Sequence, residues 1–93
     1  MSKLRRGEEV KVLATRVPIY AHPGYVPTYK ETNKTLVIDA DLGNEVYLVT
    51  IKGSRRHIGG GRYVPITARL EWEGDGGVLY NTTAKWEVET KEE

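Results

Sequence analysis

Alternation of apolar and polar residues dominates the chain and predicts β-strands along most of its length. A first strand is expected near residues 8–15, and a second, rich in β-branched side chains, at 34–40. Residues 41–44 (Asp-Leu-Gly-Asn) have turn chemistry, so 45–52 should return as the antiparallel partner of the second strand. Because apolar residues occupy both faces of that third strand, it should lie centrally in the sheet.

The last third of the chain is interpreted as one long hairpin. A strand at 66–72 leads into a turn at 73–77 (Glu-Gly-Asp-Gly-Gly), and a single return strand follows from 78 to 88. Large aromatic residues usually pack in the core, so both tryptophans are expected there. The predicted inward face consists of Ile66, Ala68, Leu70, Trp72, Val78, Tyr80, Ala84, Trp86 and Val88.

These elements predict an all-β fold of five to six strands in one domain spanning residues 1–93. A sheet of this size must protect its edges, and closure into a small antiparallel barrel with a long C-terminal hairpin does so. A two-layer β-sandwich is the alternative. The charged residues 90–93 are expected to form a frayed tail.

Composition narrows the chemistry that the chain can carry. It contains no cysteine, which excludes disulfides, zinc–thiolate sites and cysteine nucleophiles and fits a cytoplasmic location. No apolar run has the length of a membrane span. The only two histidines lie apart without metal-ligand spacing, and no serine has a nucleophile context. We therefore expect neither an enzyme nor a cofactor, metal or membrane partner.

Residues 17–29 form a Tyr/Pro-rich segment in which a Pro-x-Tyr unit occurs three times. Proline lacks the amide needed for a sheet ladder, so this segment is predicted as an ordered loop or an edge. Tyrosines on a stiff loop favour recognition of a partner, since little entropy is lost on binding. The alternative is that they only cap the end of the barrel. The candidate partner-binding residues are Tyr20, His22, Tyr25 and Tyr29.

A second candidate is the basic, glycine-rich segment 52–63, interpreted as a flexible loop between two strands. Residues 52–69 contain five basic and no acidic side chains, whereas residues 70–93 contain two basic and seven acidic ones. Backbone amides of the glycines at 59–61 and neighbouring arginines suit an anion such as phosphate. The alternative is a solvated hairpin loop. The candidate anion- or nucleic-acid-binding residues are Lys52, Arg55, Arg56, His57, Arg62 and Tyr63.

The beginning of the chain resembles a known superfamily. Residues 4–12 (Leu-Arg-Arg-Gly-Glu-Glu-Val-Lys-Val) resemble the opening strand of SH3-like barrels. Within that superfamily, residues 19–23 (Ile-Tyr-Ala-His-Pro) are similar to a stretch near the start of the variable chain of ferredoxin–thioredoxin reductase, a non-catalytic barrel that supports a redox partner. The resemblance implies the barrel architecture and assigns no functional residue.

The leading functional hypothesis is a non-catalytic module that recognises a protein partner through the Tyr/Pro-rich segment and the basic segment, because loops on a β scaffold commonly carry binding. Nucleic acid is the first alternative. The second is a structural homo-oligomer in which the acidic hairpin of one copy docks on the basic segment of another. A small accessory protein of a phage or mobile element is an origin that fits these readings.

Overall fold

The computed structural model describes residues 4–17, 31–81 and 85–90. These residues form strands and short connections, with no helix among them. The second strand, predicted at 34–40, extends from Glu31 to Gly43. The strands are β1 (Glu9–Val17), β2 (Glu31–Gly43), β3 (Val46–Gly59), β4 (Arg62–Glu73), β5 (Gly76–Tyr80) and β6 (Lys85–Thr90).

The six strands form one closed antiparallel barrel in the order of the chain. Each strand pairs with the next, and β6 returns to β1, where Val12 lies opposite Thr90 and Val17 opposite Lys85. The barrel is therefore the architecture that the chain adopts, rather than the two-layer sandwich. Closure satisfies the edges that an open sheet of this size would expose.

Alternate residues of every strand point into the barrel and make one core. Full burial of a Val, Leu or Ile side chain contributes about 1.5–3 kcal/mol relative to exposure, so the residues with no accessible surface dominate the stability of the barrel. The core contains no buried polar or charged residue among those described. Its buried members are Leu4, Val10, Val12, Ala14, Leu36, Ile38, Tyr47, Val49, Ile51, Ala68, Leu70, Trp72, Leu79 and Val88.

The return strand predicted at 78–88 is wrong as a single element, because the chain reverses between Tyr80 and Lys85. β5 and β6 pair with each other, and the reversal changes the phase of the inward positions. Leu79 is fully buried, whereas Val78 and Tyr80, which were predicted to point inward, are only partly buried. Trp72 is in the core as predicted, while Trp86 is only partly buried against it.

The basic segment 52–63 is also different from its prediction. Instead of a flexible loop, it forms most of a hairpin that continues β3 and β4 beyond the barrel. The turn lies at Gly60 and Gly61, whose positive φ angles of 59° and 73° suit glycine. We call residues 52–65 the arm.

Topology places the arm and two other connections at one end of the barrel. In an antiparallel meander the β1–β2, β3–β4 and β5–β6 connections share an end, which we call the arm-bearing end. At the opposite end, the side chains of Leu4, Tyr47 and Trp72 are buried. The Leu4 backbone amide donates to the Tyr47 hydroxyl at 3.4 Å, and Trp72 on β4 pairs with Gly77 on β5. The Thr90 amide donates to the Asp75 carbonyl, so β6 is ordered one residue into the predicted tail.

Candidate functional site

The arm is a two-stranded ribbon whose two faces carry different residues. Its register places Arg56 opposite Val64 and His57 opposite Tyr63. Side chains alternate along a strand, so Arg56 and Val64 share the face that continues from the barrel interior through Ile66. The other face, which we call the outer face of the arm, carries Arg55, His57, Tyr63 and Pro65.

The outer face of the arm presents exposed aromatic surface beside positive charge. Tyr63 is 58% exposed, and its ring centroid lies 5.1 Å from that of His57 at an interplanar angle of 47°. Arg55 is exposed on the same face. The arm therefore brings all six of the predicted anion-binding residues into one ribbon, with their side chains distributed over both of its faces.

The base of the arm is tied to the barrel by an ion pair. The Lys52 ammonium lies 3.2 Å from a carboxylate oxygen of Glu9 on β1, with both side chains largely exposed. By contrast, Arg55, Arg56 and Arg62 form no ion pair with another described residue. Three of the four cations on the arm are therefore available to an external anion.

A cleft opens between the inward face of the arm and the rim of the barrel; we call it the mouth cleft. It has a volume of about 570 Å³, and its described lining includes Ile51, Ile66 and Trp86 as apolar surface. The pairing of β5 with β4 ends at Tyr80 and Arg69, and the residues of β4 that precede Arg69 are left without β5 beside them. The cleft extends along this part of β4, where Thr67 and Ala68 line it.

Positive charge surrounds the mouth cleft. Its described lining contains Arg16, Lys34, Arg56 and Arg69 and no carboxylate. The Lys34 ammonium stands 5.3 Å from the ring centroid of Trp86, a cation–π distance. Burial, and to a smaller extent the positive charge of Arg16, lower the pKa of Lys34 below its ordinary value. No carboxylate among the described lining residues balances the positive charge of these side chains.

Sequence reasoning missed Arg16 and Lys34. Each has the inward phase of its strand: Arg16 continues the series of Val12 and Ala14, and Lys34 precedes Leu36. A charged residue at an inward position near a strand end is the signal that would have found them, because such a side chain must lie at the rim of a barrel.

The predicted partner-binding residues Tyr20, His22, Tyr25 and Tyr29 lie outside the described residues. The strands that flank their segment end and begin at the arm-bearing end, where Thr15 of β1 pairs with Glu31 of β2. The topology therefore attaches both segments singled out in the sequence to the same end of the barrel.

Within the described ranges, no three His, Asp or Glu side chains come together in a way that would hold a metal ion. None of the described segments is a helix with the length and apolar content needed to cross a membrane. Comparisons with protein-family models, curated proteins and solved structures found no match for the chain.

Proposed function

We propose that this protein is a non-catalytic module that binds nucleic acid at the arm-bearing end of its barrel. The arm is the observation that carries the proposal. Arg55, Arg56 and Arg62 project from a ribbon that has no acidic residue of its own, and guanidinium groups bind phosphate through paired hydrogen bonds. The exposed Tyr63, paired with His57, adds the aromatic surface on which a base can stack.

We further propose that the barrel belongs to the SH3-like superfamily. The resemblance of residues 4–12 supports this, and the closed barrel of six antiparallel strands is compatible with it. In β1, the inward Val10 and Val12 follow Gly7, whose amide donates to the Ile38 carbonyl at 2.7 Å. This superfamily assignment concerns architecture and does not by itself support nucleic-acid binding.

The test is the salt dependence of binding to a labelled single-stranded oligonucleotide, followed by fluorescence anisotropy. Each phosphate contact contributes a slope of roughly −0.7 to the dependence of log K on log salt for a single strand. The double variant Arg55→Gln/Arg62→Gln should therefore reduce the slope by roughly 1.4 if each arginine holds one phosphate.

Arg6→Gln provides the control, because Arg6 is exposed in the turn before β1, at the end of the barrel opposite the arm. Its removal changes the net charge by one unit but should leave the slope within error of the original. Absence of binding at low salt, or an affinity that does not respond to salt, would contradict the proposal.

A protein partner is the second candidate. It is favoured by the position of the Tyr/Pro-rich segment, whose flanking strands reach the arm-bearing end. A pull-down from lysate with and without nuclease separates the two candidates: a partner retained after nuclease treatment supports protein recognition. Light scattering of the purified protein at low and high salt tests the homo-oligomer hypothesis, since an assembly of acidic and basic segments should dissociate as salt rises.

A further inference from the structure

The mouth cleft combines positive charge with apolar surface, and this combination narrows the class of ligand. Arg16, Lys34 and Arg56 converge on it from β1, β2 and the arm, and none of them forms an ion pair with a described residue. An anionic group placed between these side chains would relieve the repulsion among them. Electrostatics alone therefore favours a phosphate or carboxylate.

The apolar surface of the cleft points to something larger than a free anion. Ile51, Ile66 and Trp86 contribute side-chain surface, and the volume of about 570 Å³ lies within the range typical of small-molecule sites. Inorganic phosphate would leave this surface uncovered. An acidic peptide would match the charge, but its carboxylate side chains offer no flat group for the Trp86 ring.

A nucleotide unit carries both features, since a flat aromatic base is linked to a phosphate. We propose that the mouth cleft binds one nucleotide of a single-stranded nucleic acid, with its base against Trp86 and its phosphate between Arg16, Lys34 and Arg56. This inference rests on the proposed function and specifies its ligand. A duplex keeps its bases stacked inside the helix, so their faces cannot reach a tryptophan without unpairing.

The position of Lys34 explains how the two contacts can be linked. In the free protein its ammonium lies over the Trp86 ring at 5.3 Å. A base that packs against this ring takes over that contact, and the displaced ammonium moves to the phosphate of the same nucleotide. Base–aromatic stacking is worth about 1–3 kcal/mol, which corresponds to roughly five- to 150-fold in affinity.

The experiment uses the full chain labelled with fluorotryptophan and observed by fluorine NMR. Titration with an oligothymidylate should shift the resonance of Trp86 and leave that of Trp72, which is buried toward the opposite end, unchanged. Trp72 is thus an internal control in the same molecule. Trp86→Leu should weaken binding about ten-fold, and Lys34→Gln and Arg16→Gln should each weaken it several-fold. Arg6→Gln, at the opposite end of the barrel, should not.

Three results would overturn the inference. One is an equal Trp86 shift with inorganic phosphate alone, which would make the cleft a simple anion site. Another is equal affinity for a duplex of the same length. The third is an unchanged affinity in Lys34→Gln together with an unshifted Trp86 resonance. If the third result occurs while Arg55→Gln/Arg62→Gln still weakens binding, the proposed function stands and only the cleft assignment fails. If the original protein binds no oligonucleotide at low salt, both fail.

Discussion

Strands β3 and β4 run through both the barrel and the arm, and they meet different constraints in the two regions. Within the barrel, β3 and β4 each have two neighbours, and residues such as Val49 and Leu70 are fully buried. In the arm, the same strands pair with no other described strand than each other, and Ile58 and Tyr63 are 50% and 58% exposed. Burial therefore determines which residues the barrel can accept, while the arm is free to carry charge.

This difference has a consequence for stability and for function. An isolated two-stranded hairpin is marginally stable in water, so the arm depends on strands that are anchored in the barrel. Segments with few buried contacts open at low free energy, and binding surfaces are commonly drawn from them. A partner that orders the arm contributes stabilisation that the free protein lacks.

The sharpest test of the comparison is a matched truncation in the two regions. Leu70→Ala removes a fully buried side chain and should lower the free energy of unfolding by about 2–5 kcal/mol. Ile58→Ala, at a half-exposed position of the arm, should cost less than about 1 kcal/mol. Urea denaturation monitored by tryptophan fluorescence measures both. Equal losses would mean that the arm belongs to the cooperative core.

A smaller loss of stability is expected from a substitution at Gly77, where the backbones of β5 and β4 approach closely. A Cβ atom on Gly77 would lie 1.9 Å from the Glu71 carbonyl oxygen and 3.0 Å from the Trp72 Cα, both on the adjacent β4. Gly77→Ala should therefore force the two strands apart and destabilise the barrel by about 1–3 kcal/mol.

Gly53→Ala places the same substitution in the arm, and its loss of stability is compared with that of Gly77→Ala. No atom of the described residues lies within 4 Å of the position that its Cβ would take, so the expected cost is that of the positive φ of 84°, about 1 kcal/mol. Thermal unfolding of the two variants ranks them, and a more stable Gly77→Ala than Gly53→Ala would contradict the packing argument.

The smallest effect concerns the junction between the two regions. A double-mutant cycle with Lys52→Met and Glu9→Gln should give a coupling of about 0.2–1 kcal/mol, because exposed ion pairs are weak and are screened by salt. The coupling should fall when salt is added. A larger value that is insensitive to salt would show that the arm is held by more than this pair.

Much of the fold could be predicted because burial leaves a period-two pattern in the strands of the barrel. The inward series of β4 follows from that pattern. The turn chemistry at residues 41–44 predicted the β2–β3 hairpin, but the turn itself lies at Asn44 and Glu45, because Asp41 and Gly43 still pair with β3. The pattern did not predict which residues of β5 point inward. The chain reverses between Tyr80 and Lys85, and the polar residues there also occur in continuous strands. The arm was interpreted as a loop because exposed strands carry no burial pattern and glycines suggest irregular backbone.

The sequence by itself determined that the chain forms an antiparallel β fold with a single core, since alternation and turn chemistry are local properties. It also located the cluster of cations at 52–63. Only the tertiary structure decided that this cluster is a ribbon and that Arg16, Lys34 and Trp86 join it around one cleft. These residues are far apart in the chain, and closure of the barrel through the pairing of β1 with β6 brings them together. A contact made by closure depends on register and on the direction of each strand, which no local pattern encodes.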